Sequence, residues 1–437
     1  MRRFFAILGF LYLFSISWAV DNTIIERFLV EGNIDGAQRA LLEDYQKSIN
    51  QEEQEQIQFL LAQLSLKQNK PEEAIAIYRY MLAKNPALSR VRLELGYLYF
   101  MQHEDVFASY HLRLVLSEKG LPPKLRQEIQ AILETIRRRK TWQLYVSLGM
   151  TPDSNVNSMS GRQLECFNFM GVPFCRELDN IESDVGFQGL ASLSYIQKLS
   201  NNWGLKGRII LDAIDYSNEQ YSFWGIGTEF GMRYLAVDSE TEIGVSYRQQ
   251  WNDEHRYSYT KGVFGSASKD ISDRISLSAK LAFNQVDYND VIYQGYNSDN
   301  YGSFIRLFYV TNSRSYMTLS ASLIYEDSQS DWNSNIRQRY ALGYGRELPW
   351  GFNIYAEPNI TFSNYQTERF FIGENNNLES LKRRDLTYGV YLSLSNKYLQ
   401  FWDITPTVNF IYNKRLSNVY NYDYERTRWE IGLSRSF

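Results

Sequence analysis

The chain has 437 residues, with 46 Lys and Arg against 50 Asp and Glu, for a net charge of −4. That balance supplies no basic field for nucleic acid, and a mean hydropathy of −0.41 excludes a helical membrane protein. Aromatic residues make up 15%, led by 33 Tyr and 25 Phe, which suits surfaces with one apolar and one wet side. A soluble protein or a membrane β-barrel fits, because alternating strands average to mild polarity.

In chain order, Arg2 and Arg3 precede an apolar stretch over 4–16, and Ser17-Trp18-Ala19 forms a small-x-small cleavage site. Residues 1–19 are predicted to be a signal peptide. No cysteine follows that site, so the protein is not expected to carry a lipid of its own. No later run reaches about 18 apolar residues, so any membrane embedding is expected through strands.

Residues 20–140 read as helical and end in the basic run Arg137-Arg138-Arg139-Lys140. A 34-residue unit starting at Glu55 places Leu61-Ala62, Ala74, Tyr78 and Pro86. The pattern returns one period later as Leu95-Gly96, Tyr99, Ala108 and Leu112. This resembles the tetratricopeptide repeat, without its early Trp and with Gly120 where a Pro would stand. A degenerate helical pair is expected before the two repeats. The geometry of that repeat turns Phe59, Gln63, Leu66, Leu93, Tyr97, Phe100 and Met101 toward a concave face. They would form a groove for a segment of another protein, or they would pack on neighbouring helices.

From residue 141 to 437 the period becomes two. Trp142, Leu144, Val146, Leu148 and Met150 alternate with Gln143, Tyr145, Ser147 and Gly149, and similar runs follow to the end. Short turns such as "SNNWG", "DISDR" and "ELPWG" separate these strands on one side. The longer polar stretches "NDVIYQGYNSD" and "TERFFIGENNNLESLK" are expected as loops on the other. This predicts an antiparallel outer-membrane β-barrel of about 14 strands. The fold class is therefore α plus membrane β, with the helical repeats in the periplasm. The first connection, about 152–183, carries the only two cysteines, Cys166 and Cys175. In an exported chain that pair is expected to form a disulfide. Charges expected on the inner wall include Arg208, Glu229, Arg233, Arg248, Arg306, Arg337 and Arg339. They would either handle a polar cargo or brace the wall.

A signal peptide, repeats and a barrel in this order resemble the Slam family, surface lipoprotein assembly modulators, also described as type XI secretion translocators. The local likeness is strongest in "YVSLGMTPDSNVN", where the first strand breaks at Pro152 into Asp153-Ser154-Asn155 and Asn157. The resemblance implies export of a protein cargo, lipidated or soluble and often one that captures haem or iron. It also implies help from periplasmic chaperones and the barrel-assembly machinery. No nucleotide, metal or other cofactor is implied, and no phosphate loop or metal cluster is present in the sequence. Membrane lipid is an expected partner, nucleic acid is not, and a monomer is expected. A diffusion porin with a docking domain is the alternative. An enzyme is disfavoured, because the three histidines, His103, His111 and His255, are scattered and lack a nucleophile–base arrangement.

In the last strand, "RWEIGLSRSF", Trp429, Ile431, Leu433 and Phe437 share the face expected toward lipid with Arg435. A terminal aromatic on such a strand resembles the signal read by the barrel-assembly machinery.

Overall fold

A computed structural model describes residues 27–436, apart from 29, 140, 162–163, 170–171, 253–254, 373–376, 397–398 and 400–403. The leader expected over 1–19 and Phe437 lie outside the described residues. Helices come first, among them α1 (Ile34–Lys47), α2 (Gln51–Lys67), α3 (Pro71–Lys84), α4 (Ser89–Met101), α5 (Asp105–Leu116) and α6 (Pro123–Arg139). Their starts follow from local chemistry. Asn33 and Asn50 accept hydrogen bonds from the backbone N–H groups of Gly36 and Glu52, satisfying donors that the first turn leaves free. Pro71, which lacks an N–H, opens α3.

The two hairpins α2–α3 and α4–α5 repeat in detail. Asn69 and His103, 34 positions apart, both adopt positive φ, 61° and 64°. At the same offset, Lys70 N donates to Ser65 O and Glu104 N to Tyr99 O, each at 2.9 Å. The recurring small and large residues Ala62, Ala74, Tyr78, Leu95, Ala108 and Leu112 are buried. A Cβ on Gly96 would stand 2.9 Å from Leu112 Cδ2, so the close approach of α4 and α5 requires the glycine.

The rest of the described chain forms a closed antiparallel barrel of fourteen strands in the order β1-β16-β15-β14-β13-β12-β11-β10-β9-β8-β7-β6-β5-β4. The strands are β1 (Trp142–Asp153), β4 (Asp184–Lys198), β5 (Trp203–Asp215), β6 (Phe223–Leu235), β7 (Ser239–Asn252), β8 (His255–Ser272) and β9 (Ile275–Tyr288). They continue as β10 (Ser298–Asn312), β11 (Ser315–Ser328), β12 (Asn335–Glu347), β13 (Phe352–Ile372), β14 (Leu378–Asn396), β15 (Thr405–Ser417) and β16 (Tyr424–Ser436). A separate hairpin, β2 (Leu164–Phe169) and β3 (Val172–Glu177), stands in the first connection. Closure leaves no sheet edge, which is the condition for strands to cross lipid. Large apolar side chains such as Leu148, Phe230, Ile243, Leu281 and Leu319 lie exposed on the outer wall.

One expectation is corrected. "TERFFIGENNNLESLK" is mostly strand, because β13 runs to Ile372 and β14 begins at Leu378, with Phe370 opposite Ser380. The same two-residue alternation that crosses the membrane carries this hairpin beyond it. "NDVIYQGYNSD" folds into a short 3-10 turn over Val291–Tyr296. The outer end is built from extended hairpins more than from long loops.

Closure depends on the β1–β16 seam, where Gly149 faces Gly432. A Cβ on Gly149 would sit 2.7 Å from Ile431 O, and one on Gly432 would sit 2.5 Å from Leu148 O. Gly207, on β5, has open space where its Cβ would be. Gly432→Val should therefore cut the fraction of folded, heat-modifiable barrel in membrane extracts several-fold, while Gly207→Val leaves it unchanged.

Candidate functional site

The helices are fastened across the strand turns at one end of the barrel. Arg92 on α4 is 1% exposed. Its Nη2 donates to Glu347 Oε2 at 2.5 Å and to Pro86 O at 2.8 Å. Glu347 ends β12 and also accepts from the Tyr110 hydroxyl on α5. Burial, with the Glu347 carboxylate beside it, pushes the Tyr110 phenol well above its ordinary value, so it remains a donor. Arg92 Nε and Nη1 are buried without a hydrogen-bond partner among the described residues.

Helix α6 supplies a second row of contacts. Arg126 pairs with Asp273, and Gln130 Nε2 donates to Asp273 Oδ1 at 2.8 Å. Arg137 pairs with Asp270 at 2.6 Å and donates to Val237 O at 2.9 Å. Arg138 Nη1 donates to Asn201 O at 2.8 Å, while Arg113 of α5 lies 3.6 Å from Asp270. In the opposite direction, Arg274 donates to Ser117 O. Cations on the helices thus meet carboxylates and carbonyls on the β4–β5, β6–β7, β8–β9 and β12–β13 turns, and the helices cover an arc of the mouth.

The seven residues expected on a concave face divide. The Phe59 ring lies 5.6 Å from Tyr78 and 4.8 Å beneath the Arg90 guanidinium. Gln63 Nε2 donates to the Tyr78 hydroxyl at 2.7 Å, and Leu66 packs on the same core. Leu93 and Tyr97 pack with Leu112, Val115 and Ile129, so α6 covers them. Phe100 lies under Arg139, 4.4 Å from its guanidinium, and Arg139 in turn grips Asp105. Met101 is the one exposed member, at 57%. Phe59 and Gln63 on α2 are partly buried.

The Pro152-Asn157 motif closes the seam at the other end. Asp153 is buried and takes Arg426 of β16 at 2.9 Å through Nε and 2.5 Å through Nη2. Ser154 N donates to Thr427 O at 3.0 Å, and Thr427 N returns to Ser154 Oγ at 2.8 Å. Asn155 Nδ2 donates to Glu425 O at 3.0 Å. Asn157 ties the first connection back on itself through Asn180 O and Glu182 N. Paired residues on β1 run from Tyr145 to Met150 and resume at Asp153. Side chains thus hold β1 to β16 around Pro152, which has no N–H to give. Within that first connection Cys166 and Cys175 are disulfide-bonded, and Glu165 binds Arg176 and Asn421.

A family model described as "Surface lipoprotein assembly modifier" matches residues 142–437. The chain belongs to the surface lipoprotein assembly modifier family. A protein of that name from Pasteurella multocida (strain Pm70) is 23% identical over 401 residues, 86% of this chain and 75% of its own. Surface lipoprotein assembly modifier 1 of Neisseria meningitidis serogroup B (strain ATCC BAA-335 / MC58) is 21% identical over 94% of this chain and 81% of its own. A hemophilin secretion modulator of Acinetobacter baumannii is 22% identical over 82% of this chain and 74% of its own. Among solved structures, the outer membrane channel DcaP of Acinetobacter baumannii aligns over 68% of this chain and 97% of that one, at 11% identity and a TM-score of 0.39.

The barrel of this family member lies in the outer membrane, with the helices at the periplasmic mouth. Within its lumen, Arg208 binds Glu229 at 2.8 Å, Arg233 binds Glu240 at 2.6 Å, Arg248 binds Asp212 at 2.6 Å and Arg339 binds Glu357 at 3.1 Å. Arg337 lies 3.3 Å from Glu326, and Arg306 lies over the Phe304 ring. The ion pairs brace strand to strand, whereas Arg306 contacts a ring on its own strand, β10. Trp429, Ile431 and Leu433 lie exposed on the outer wall, and Arg435 stands opposite Val146. Of the histidines, His111 stacks on Tyr99 and His255 opens β8.

Sequence reasoning missed the fastening of the helices to the barrel. The signal was the basic run 137–140 together with acidic residues in turns of the same side, Asp270, Asp273 and Glu347. Removing one partner of a buried ion pair costs about 3–5 kcal/mol, and replacing both with apolar residues costs far less. Glu347→Ala should therefore free the helices, and trypsin cleavage after Arg137 and Arg138 in the full-length protein should speed up at least about tenfold. The pair Arg92→Met with Glu347→Leu should return cleavage toward the wild-type rate.

Proposed function

We propose that this chain is a translocator that carries a partner protein from the periplasm to the cell surface, with its helical domain as the reception and capping element. The observation that carries this reading is the fastened cap. A passive porin gains nothing from helices latched over its mouth, whereas a carrier needs a state that stays shut until cargo arrives. The 34-residue repetition supports a tetratricopeptide-like surface for cargo or its chaperone, with Met101 as the exposed member of the expected groove. The names of the relatives support a lipoprotein, or a secreted protein of the hemophilin kind, as cargo. The braced, ion-paired lumen supports a rigid conduit. The outward Trp429, Ile431 and Leu433 support a final strand read by the assembly machinery.

The test compares a deletion strain with the complemented strain by whole-cell protease shaving and quantitative mass spectrometry. At least one lipidated or secreted protein should lose most of its surface signal and accumulate in the periplasm. An unchanged surface proteome together with slower uptake of small sugars would instead establish the porin reading.

A further inference from the structure

The lumen holds a feature that neither the cap nor the bracing pairs account for. Phe308 on β10, Tyr316 on β11, Tyr355 on β13 and Tyr391 on β14 form a continuous row of rings. Successive centroids are 5.1, 6.1 and 6.1 Å apart. The strand between β11 and β13 contributes glycine where it faces them. A Cβ on Gly345 would stand 2.2 Å from Tyr316 Cζ, and one on Gly343 would stand 2.2 Å from Tyr355 Oη. The two rings therefore lie against β12 and turn their other faces to the lumen.

All four rings line one cavity of about 810 Å³, shared with Arg339 and Glu357. Tyr355 is tethered by its hydroxyl, which donates to Glu357 Oε2 at 2.5 Å and meets Thr318 Oγ1 at 3.0 Å. The row sits just inside the latch, since Gly345 is two residues from Glu347 on the same strand. A chain admitted by release of the cap would meet these rings early in its passage.

We propose that this row is a clamp for an unfolded segment of the exported polypeptide, an inference that rests on the export reading above. Barrels of 16–18 strands leave an open aqueous channel, and those of about 8 are filled by side chains. Fourteen strands fall between these, and the cavity of about 810 Å³ beside the rings has room for an extended segment. Aromatic faces take apolar, amide and cationic groups alike, so the clamp tolerates any sequence. The row runs across the wall from β10 to β14, so a passing chain would meet the rings together, as part of a collar. Of the charged groups lining the cavity, Arg339 and Glu357 neutralise each other, and Arg306, held over the Phe304 ring, adds positive charge.

Rings over glycines also pack the barrel wall, so the test separates packing from gripping. The full-length protein in detergent is titrated with a fluorescein-labelled, unstructured 25-residue peptide of Gly, Ser, Leu, Lys and Glu, read by anisotropy. Tyr355→Leu with Tyr391→Leu keeps bulk and removes the faces. It should bind about tenfold more weakly, as expected for the loss of two aromatic contacts, with an unchanged heat-modifiable band. Tyr391→Phe should bind within about twofold of wild type, because it keeps the face. Wild-type affinity in the double Leu variant, or no measurable binding by the wild-type protein, overturns the clamp. Displacement of the peptide by maltohexaose also overturns it, in favour of a glycan site. These outcomes are independent of the surface-proteome comparison. A failed clamp with cargo still delivered leaves the export reading intact, and a working clamp with an unchanged surface proteome removes it.

Discussion

The buried pair between Arg92 and Glu347 joins the two halves of the molecule. It reaches from the fully enclosed face of α4 to the last residue of β12, and Tyr110 adds a second donor to the same carboxylate. Two of the three guanidinium nitrogens remain without partners among the described residues. A buried charge satisfied in this incomplete way recovers only part of its desolvation cost. The contact is thus specific enough to set where the helices dock and weak enough to be exchanged for something better. The α6 contacts to Asp270 and Asp273 are more exposed and individually small, so they add orientation to a joint whose strength lies at Glu347.

From that joint the remaining architecture follows as a series of closures. The helices cover an arc of the periplasmic mouth. The Gly149–Gly432 contact closes the wall. Asp153 and Arg426 close the seam at the cell-surface end, where Pro152 interrupts the ladder. The disulfide-bonded hairpin then reaches over the outer rim to Asn421. The helix joint and the outer end of the seam rely on polar contacts between segments distant in sequence, and the wall relies on the close approach of two glycines. Such a barrel is suited to intermittent passage of a chain.

The barrel was legible because its alternation is local, and the apolar face repeats strand after strand. The helical hairpins were legible because Ala74 and Ala108, or Leu61-Ala62 and Leu95-Gly96, serve the same packing one period apart. The hairpin beyond the membrane was misjudged because polar strand and polar loop share a composition, and only pairing such as Phe370 with Ser380 distinguishes them. The groove was overestimated because nothing in the repeat pattern shows α6 folding back over Leu93, Tyr97 and Phe100. In the sequence, Pro152-Asp153-Ser154-Asn155 marks the break at the end of the first strand. Its partner Arg426 stands 273 residues away, and no periodicity connects them. The lumen ring row was invisible for a similar reason, since its four members come from four strands.

The central claim is that passage requires the helical cap to lift. Gln130 and Asp273 meet across that interface. Replacing both with cysteine and bridging them in living cells with a short bis-maleimide would hold the cap in place. Surface shaving should then show loss of exported proteins comparable to the gene deletion, with full delivery in either single-cysteine strain treated alike. Undiminished delivery in the bridged double-cysteine strain would contradict the account.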